Sequence, residues 1–143
     1  MANISTGSAR YEGFGKSGKG HVSTGSGALK DQPYGFNTRF EGEPGTNPGE
    51  LIGAAHAACY AMAMSLGLGD AGLKADAIDV RSTVGLDQVP GGFEIKKIHL
   101  TVEAKIPDAT DAQFQEIAQA TKEGCPVSKV LKGAEITMEA KLV

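Results

Sequence analysis

From Leu51 to Leu68 the chain carries no Asp, Glu, Lys or Arg. That run of 18 residues just reaches the length of a transmembrane candidate. It is only weakly apolar, being mostly alanine with Gly53, His56, Ser65 and Gly67 interspersed. A helix apolar on nearly every face is more simply a central helix buried all round. A chain of 143 residues builds about one domain, so residues 1–143 are expected to form a single domain. One thin sheet cannot cover such a helix, and a second subunit is expected to complete it.

The flanking segments predict the rest of the fold. Asn47 is a good N-cap, Pro48 suits the first helical position, and Glu50 three residues after the cap can complete a capping box. Before it, residues 8–40 are glycine-rich with short β-prone pieces at Ala9–Tyr11, His21–Thr24 and Phe36–Phe40, a hairpin-like meander. After it, Ile78, Val80, Val84 and Leu86 alternate with polar residues as a strand. The next strand changes phase between Ile95 and Ile98, which predicts a β-bulge or bend at Lys96-Lys97. Thr110 and Gln113 frame a capping box for a second helix from about Asp111 to Glu123, with Phe114, Ile117 and Ala118 inward. A last strand alternates through Ala134, Ile136, Met138, Ala140 and Leu142. Strands outnumber helices and hairpin connections dominate, which predicts an α+β fold with antiparallel sheet.

Net charge is −3, with both signs mixed along the chain and no basic run. That argues against nucleic acid or an anionic membrane surface as the main partner. The stretch from Met1 to Ser8 lacks the charged-then-apolar pattern of a signal peptide, so the expected compartment is the cytoplasm. In a reducing compartment a cysteine pair is more often catalytic or metal-binding than a staple.

The chain has two cysteines. Cys125 opens Cys125-Pro126-Val127-Ser128, a helix start that presents unpaired backbone N–H groups. Cys59 sits mid-helix, where a cysteine is normally a small apolar filler. A free thiol near pKa of about 8.5 needs a cation or a helix N-terminus beside it to become a nucleophile. Residue types alone therefore favour Cys125 as the more acidic thiol.

Three segments reverse that order. Pro33-Tyr34-Gly35-Phe36-Asn37-Thr38-Arg39-Phe40, the run from Gly45 to Cys59, and Gly124-Cys125-Pro126-Val127-Ser128 together closely resemble the OsmC/Ohr family of organic hydroperoxide peroxidases. The resemblance runs in order through nearly the whole chain. It implies an antiparallel sheet wrapped around a central buried helix, in an intertwined homodimer. It implies that Cys59 is the peroxidatic cysteine, Cys125 the resolving cysteine, and Arg39 the cation that holds Cys59 as thiolate. A guanidinium about 4 Å from the sulfur is worth at most roughly 4 kcal/mol at an effective dielectric near 20. The implied substrates are organic hydroperoxides and, less well, hydrogen peroxide. The implied reductant is an external dithiol, which in the Ohr branch is a lipoylated protein.

The chain departs from the family pattern at Gly49, where a Glu that pairs with the arginine usually follows Asn-Pro. Glu50 is the neighbouring acid, and either takes that role or serves the capping box alone. Glu50 and Cys59 are nine residues apart, about 13 Å along an unbroken helix and on roughly opposed faces. A site using both is therefore expected to draw on two subunits.

Other classes stay open on residues alone. The same thiol pair suits a non-catalytic redox switch. His56 and Cys59, three apart on one helical face, suit two metal ligands, with His21 or His99 and Cys125 as further candidates. No cofactor and no bound metal are expected. Gly13 to Gly20 lacks the spacing of a phosphate-binding loop. Phe36, Phe40 and Tyr60 either line an apolar peroxide pocket or fill core.

Overall fold

The computed structural model describes residues 2–143. The chain forms two compact units, Met1–Leu51 and Ile52–Val143.

The first unit is a three-stranded antiparallel sheet, β1 (Gly7–Glu12), β2 (Lys19–Thr24) and β3 (Gln32–Tyr34), in that order. The register runs from Gly7 opposite Thr24 to Glu12 opposite Lys19, and Val22 pairs with Gln32. The ring of Tyr34 lies over Gly20, where a Cβ would stand; only glycine leaves room for it. The segment Phe36–Phe40, expected as a β-prone piece, is instead the short helix α1. Its reason is local: Arg39 N–H donates to Gly35 O and Glu41 N–H to Asn37 O, while the Thr38 hydroxyl bonds the Gly35 carbonyl. The meander therefore ends in a turn of helix, and the rings of Phe36 and Phe40 pack together tilted by 40°, with centroids 5.5 Å apart.

The long helix α2 runs unbroken from Pro48 to Asp70. Its start is capped as the residues predict, because Asn47 Oδ1 accepts from Glu50 N–H at 2.8 Å. Within one chain this helix is not buried all round. Gly53, His56, Tyr60, Met64 and Leu68, at helical spacing, are its buried residues. Ala55, Ala58, Met62 and Leu66 lie exposed, with Met62 at 66% and Leu66 at 70%. The helix is long and apolar enough to cross a membrane, by length and composition. The core helix of a soluble protein passes the same measure.

The second unit packs α2 from Ile52 onward on a mixed sheet of β4 (Ala77–Val84), β7 (Lys97–Lys105) and β8 (Glu135–Leu142), in that order. Strands β5 (Asp87–Val89) and β6 (Gly92–Glu94) form a separate hairpin. The phase change before β7 is not a bulge: β6 stops at Glu94 and β7 starts at Lys97, so Ile95 and Lys96 join two strands belonging to different sheets. β4 and β7 are antiparallel, Val80 facing Val102. The sheet departs from the antiparallel expectation at β8, which pairs parallel with β7, Leu100 opposite Met138. β8 is reached through α3 (Asp111–Gly124) and α4 (Pro126–Val130), and a helical crossover returns the chain in the same direction.

α3 begins at Thr110, whose hydroxyl accepts from Gln113 N–H while its own N–H donates to Gln113 Oε1. Its Phe114 and Ala118 are fully buried and join Tyr60, Met64, Leu68, Leu100, Val102, Ala104 and Ile106 in one core. At Gly53 the helix comes so close to β4 that a Cβ would stand 3.1 Å from the Ser82 carbonyl oxygen. Glycine permits this approach.

Candidate active site

Two elements far apart in sequence meet at the cysteines. Cys59 lies mid-way along α2, partly exposed. Cys125 is fully buried at the junction where α3 ends and α4 begins, its own N–H donating back to Thr121 O. Proline at the first position of α4 needs no partner for a missing N–H, so the chain turns there without loss. The two Sγ atoms stand 2.9 Å apart, within hydrogen-bonding reach, and both cysteines are free.

Their surroundings pull the two thiols apart in acidity. Burial pushes Cys125 up, yet hydrogen bonds from Cys59, from the backbone N–H groups of Ser128 and Val127, and from the Ser128 hydroxyl together bring it below the ordinary value. Cys59 moves upward, first through burial and then through its bond to Cys125, with only the Val127 N–H pulling it down. Within residues 52–143, then, Cys125 is the more acidic thiol, as its place at a helix start predicts. The charge that the resemblance assigns to Cys59 is carried by Arg39, a residue of the other unit.

Arg39 sits in α1, partly exposed, with its guanidinium carbon 5.9 Å from the Phe40 ring centroid. Glu50 is exposed at the start of α2. Its carboxylate accepts from the Thr46 hydroxyl at 2.8 Å, and its N–H, not its side chain, makes the bond to Asn47. The structure thus gives Glu50 the donor half of a cap and leaves its carboxylate on a neighbouring hydroxyl.

Residue-level reading missed one pair. His56 Nε2 lies 2.8 Å from Ser128 Oγ, across 72 residues of chain. Both residues are buried. Burial lowers the His56 pKa and keeps the imidazole neutral. The only sequence signal was spacing: His56 precedes Cys59 by three, and Ser128 follows Cys125 by three, so each falls on the helical face of its cysteine. Tyr60 is a core residue, its hydroxyl donating to Ala118 O at 2.9 Å, and Phe36 and Phe40 are exposed in the first unit. Among the described residues no three His, Cys, Asp or Glu side chains gather in a way that could hold a metal.

Known proteins share this chain's sequence and fold. The chain is 58% identical over 136 residues to the peroxiredoxin OsmC of Escherichia coli K12, covering 95% of this chain and 94% of that protein. It is 31% identical over 125 residues to the organic hydroperoxide resistance protein OhrB of Bacillus subtilis, covering 85% of this chain and 89% of that one. The crystal structure of OhrB superposes with a TM-score of 0.68 over 96% of this chain and 98% of OhrB, at 28% identity. An OsmC-like protein from Mycoplasma pneumoniae shares the fold with a TM-score of 0.79 over 100% of this chain and 99% of its own, at 16% identity. The family described as OsmC-like protein matches residues 40–141, and this chain belongs to it.

Proposed function

We propose that the chain is a cysteine-dependent peroxidase that reduces organic hydroperoxides, and hydrogen peroxide less well, through Cys59 and Cys125. The observation that carries this reading is the 2.9 Å separation of the two sulfurs. A disulfide bond is about 2.05 Å long, so the pair closes by about 1 Å of movement.

The Cys59 thiolate attacks the distal peroxide oxygen. The S–O bond forms as the O–O bond breaks, and the departing alkoxide takes a proton to leave as alcohol. Cys59 is then a sulfenic acid. Cys125 attacks its sulfur, the S–S bond forms, the S–O bond breaks, and hydroxide leaves as water after taking a proton. An external dithiol, a lipoylated protein being one candidate class, reduces the disulfide by exchange. Arg39 supplies the charge that makes Cys59 the first thiolate, and Glu50 orients Arg39 in place of the carboxylate missing at Gly49.

Residues 1–143 work as one domain in a homodimer in the cytoplasm. The exposed apolar residues of α2, Met62 and Leu66 among them, support pairing, because a helix this apolar gains by burying its second face. The test is peroxide consumption with a dithiol, comparing the natural chain with Cys59→Ser. Turnover lost in the variant supports the enzyme. A natural chain that forms the disulfide once and never turns over is a redox switch instead.

A further inference from the structure

Helix α4 is five residues long, Pro126–Val130, and Cys125 is the residue that caps it. So short a helix has little stability of its own, and the position of Cys125 depends on what ties α4 to the core. Of its five residues Ser128 alone is buried. The Ser128 hydroxyl is bonded to His56 Nε2 at 2.8 Å, and His56 lies three residues before Cys59 on α2. Both are buried polar groups, Ser128 3% and His56 0% exposed, and such groups cost stability unless they are paired. The bond that pairs them fixes direction as well as contact, which apolar filling would not. Its sense follows from the other ring nitrogen. His56 Nδ1 is buried with no hydrogen-bond partner among the described residues. A hydrogen on Nδ1 would be an orphaned donor, the rarer case, so the hydrogen sits on Nε2 and donates to Ser128 Oγ.

The same two elements meet a second time at the sulfurs, 2.9 Å apart. Cys59 follows His56 by three residues and Ser128 follows Cys125 by three, so about one turn of chain separates the two contacts on each side. We propose that His56 is a positioning residue which, by holding Ser128, fixes α4 against α2 and keeps Cys125 within closing distance of Cys59. Hydrogen bond and disulfide then favour each other by the same factor, since each forms more readily once the other has aligned the two elements. No proton moves to or from the imidazole. His56 sets where the sulfurs stand, not how they react.

This proposal rests on the peroxidase reading and deepens it, and an equilibrium without peroxide tests it separately. The full chain is equilibrated with oxidised and reduced dithiothreitol. Two electrons and two protons leave Cys59 and Cys125, the S–S bond forms between them, and the cyclic disulfide of the reagent is reduced to its dithiol. The oxidised fraction gives the equilibrium constant of the pair. Ser128→Ala and His56→Leu should each lower it about three- to tenfold, the weight of one buried hydrogen bond. The double variant should fall no further, because both changes remove the same bond. His56→Gln, whose amide brings a donor to the place of Nε2, should recover most of the loss. Leu68→Ala, nine residues beyond Cys59 and so about 13 Å along the α2 axis, weakens the core without touching the pair. Its constant should equal the natural one. A constant unchanged in Ser128→Ala, losses that add in the double variant, or an equal fall in Leu68→Ala overturns the proposal. Peroxide turnover by the natural chain is measured alongside. Its absence overturns the peroxidase reading, while the constants of the variants still decide the role of His56.

Discussion

The sulfurs of Cys59 and Cys125 lie 2.9 Å apart although 66 residues separate them in the chain. One projects from the middle of α2 and the other from the break between α3 and α4. Their roles are distinguishable by experiment. Cys59→Ser should abolish the first reaction with peroxide. Cys125→Ser should leave that reaction in place but block disulfide formation, so that Cys59 accumulates as sulfenic acid and then over-oxidises. Mass spectrometry after one equivalent of cumene hydroperoxide decides; oxidation appearing first on Cys125 would exchange the roles.

Arg39 and Glu50 are expected to act together. Arg39→Gln should slow Cys59 oxidation by about tenfold or more, since one unit of thiol pKa is a tenfold change in its ionisation equilibrium. Glu50→Gln should slow it less and cost little stability, because the Glu50 N–H that bonds Asn47 is untouched. Gly49→Glu should raise the rate. Stopped-flow oxidation with each variant measures all three, and a Glu50→Gln rate equal to the natural one assigns Glu50 to the helix start alone.

Pairing of chains should depend on the exposed face of α2. Met62 and Leu66 are 66% and 70% exposed, and burying such a side chain is worth about 1.5–3 kcal/mol. Sedimentation should find a dimer at micromolar concentration and a monomer for Met62→Lys combined with Leu66→Lys. A stable monomer of the natural chain would remove the basis for a site shared between subunits.

His56 makes stability fall in acid. Its pKa is lowered from about 6.5 by burial, so the unfolded chain takes up a proton that the folded chain refuses. The stabilisation is whole above pH of about 6.5 and is lost as pH falls from there toward the folded-state value. Urea unfolding across that range should show the slope, and His56→Gln should flatten it. A slope unchanged in the variant would assign it to other groups.

Gly53→Ala should destabilise the fold by about 1–3 kcal/mol, because the new Cβ would meet the Ser82 carbonyl oxygen at 3.1 Å. Gly69, on the same helix, has open space where a Cβ would stand. Gly69→Ala should therefore be neutral or stabilise by up to about 1 kcal/mol. The denaturant midpoint should fall for Gly53→Ala and hold or rise for Gly69→Ala.

Local chemistry was legible from residues alone. Asn47 and Thr110 cap their helices as their side chains dictate, Cys125 with Pro126 opens a helix, and the alternation from Ile78 to Val84 and from Ile136 to Leu142 makes strands with one face inward. Each depends on contacts within a few residues, so the sequence carries them directly. Decisions between distant segments were not legible. Whether β8 runs parallel or antiparallel to β7 is set by the path through α3 and α4, and alternation looks the same either way. Phe36–Phe40 has aromatic β-prone residues, but hydrogen bonds from Gly35 and Thr38 wind it into helix. The pairing of His56 with Ser128, and of one sulfur with the other, exists only because the core brings α2 against the end of α3. A sequence can state which residues are buried far more readily than which buried residues touch, because burial follows from period and polarity, whereas touching requires the fold.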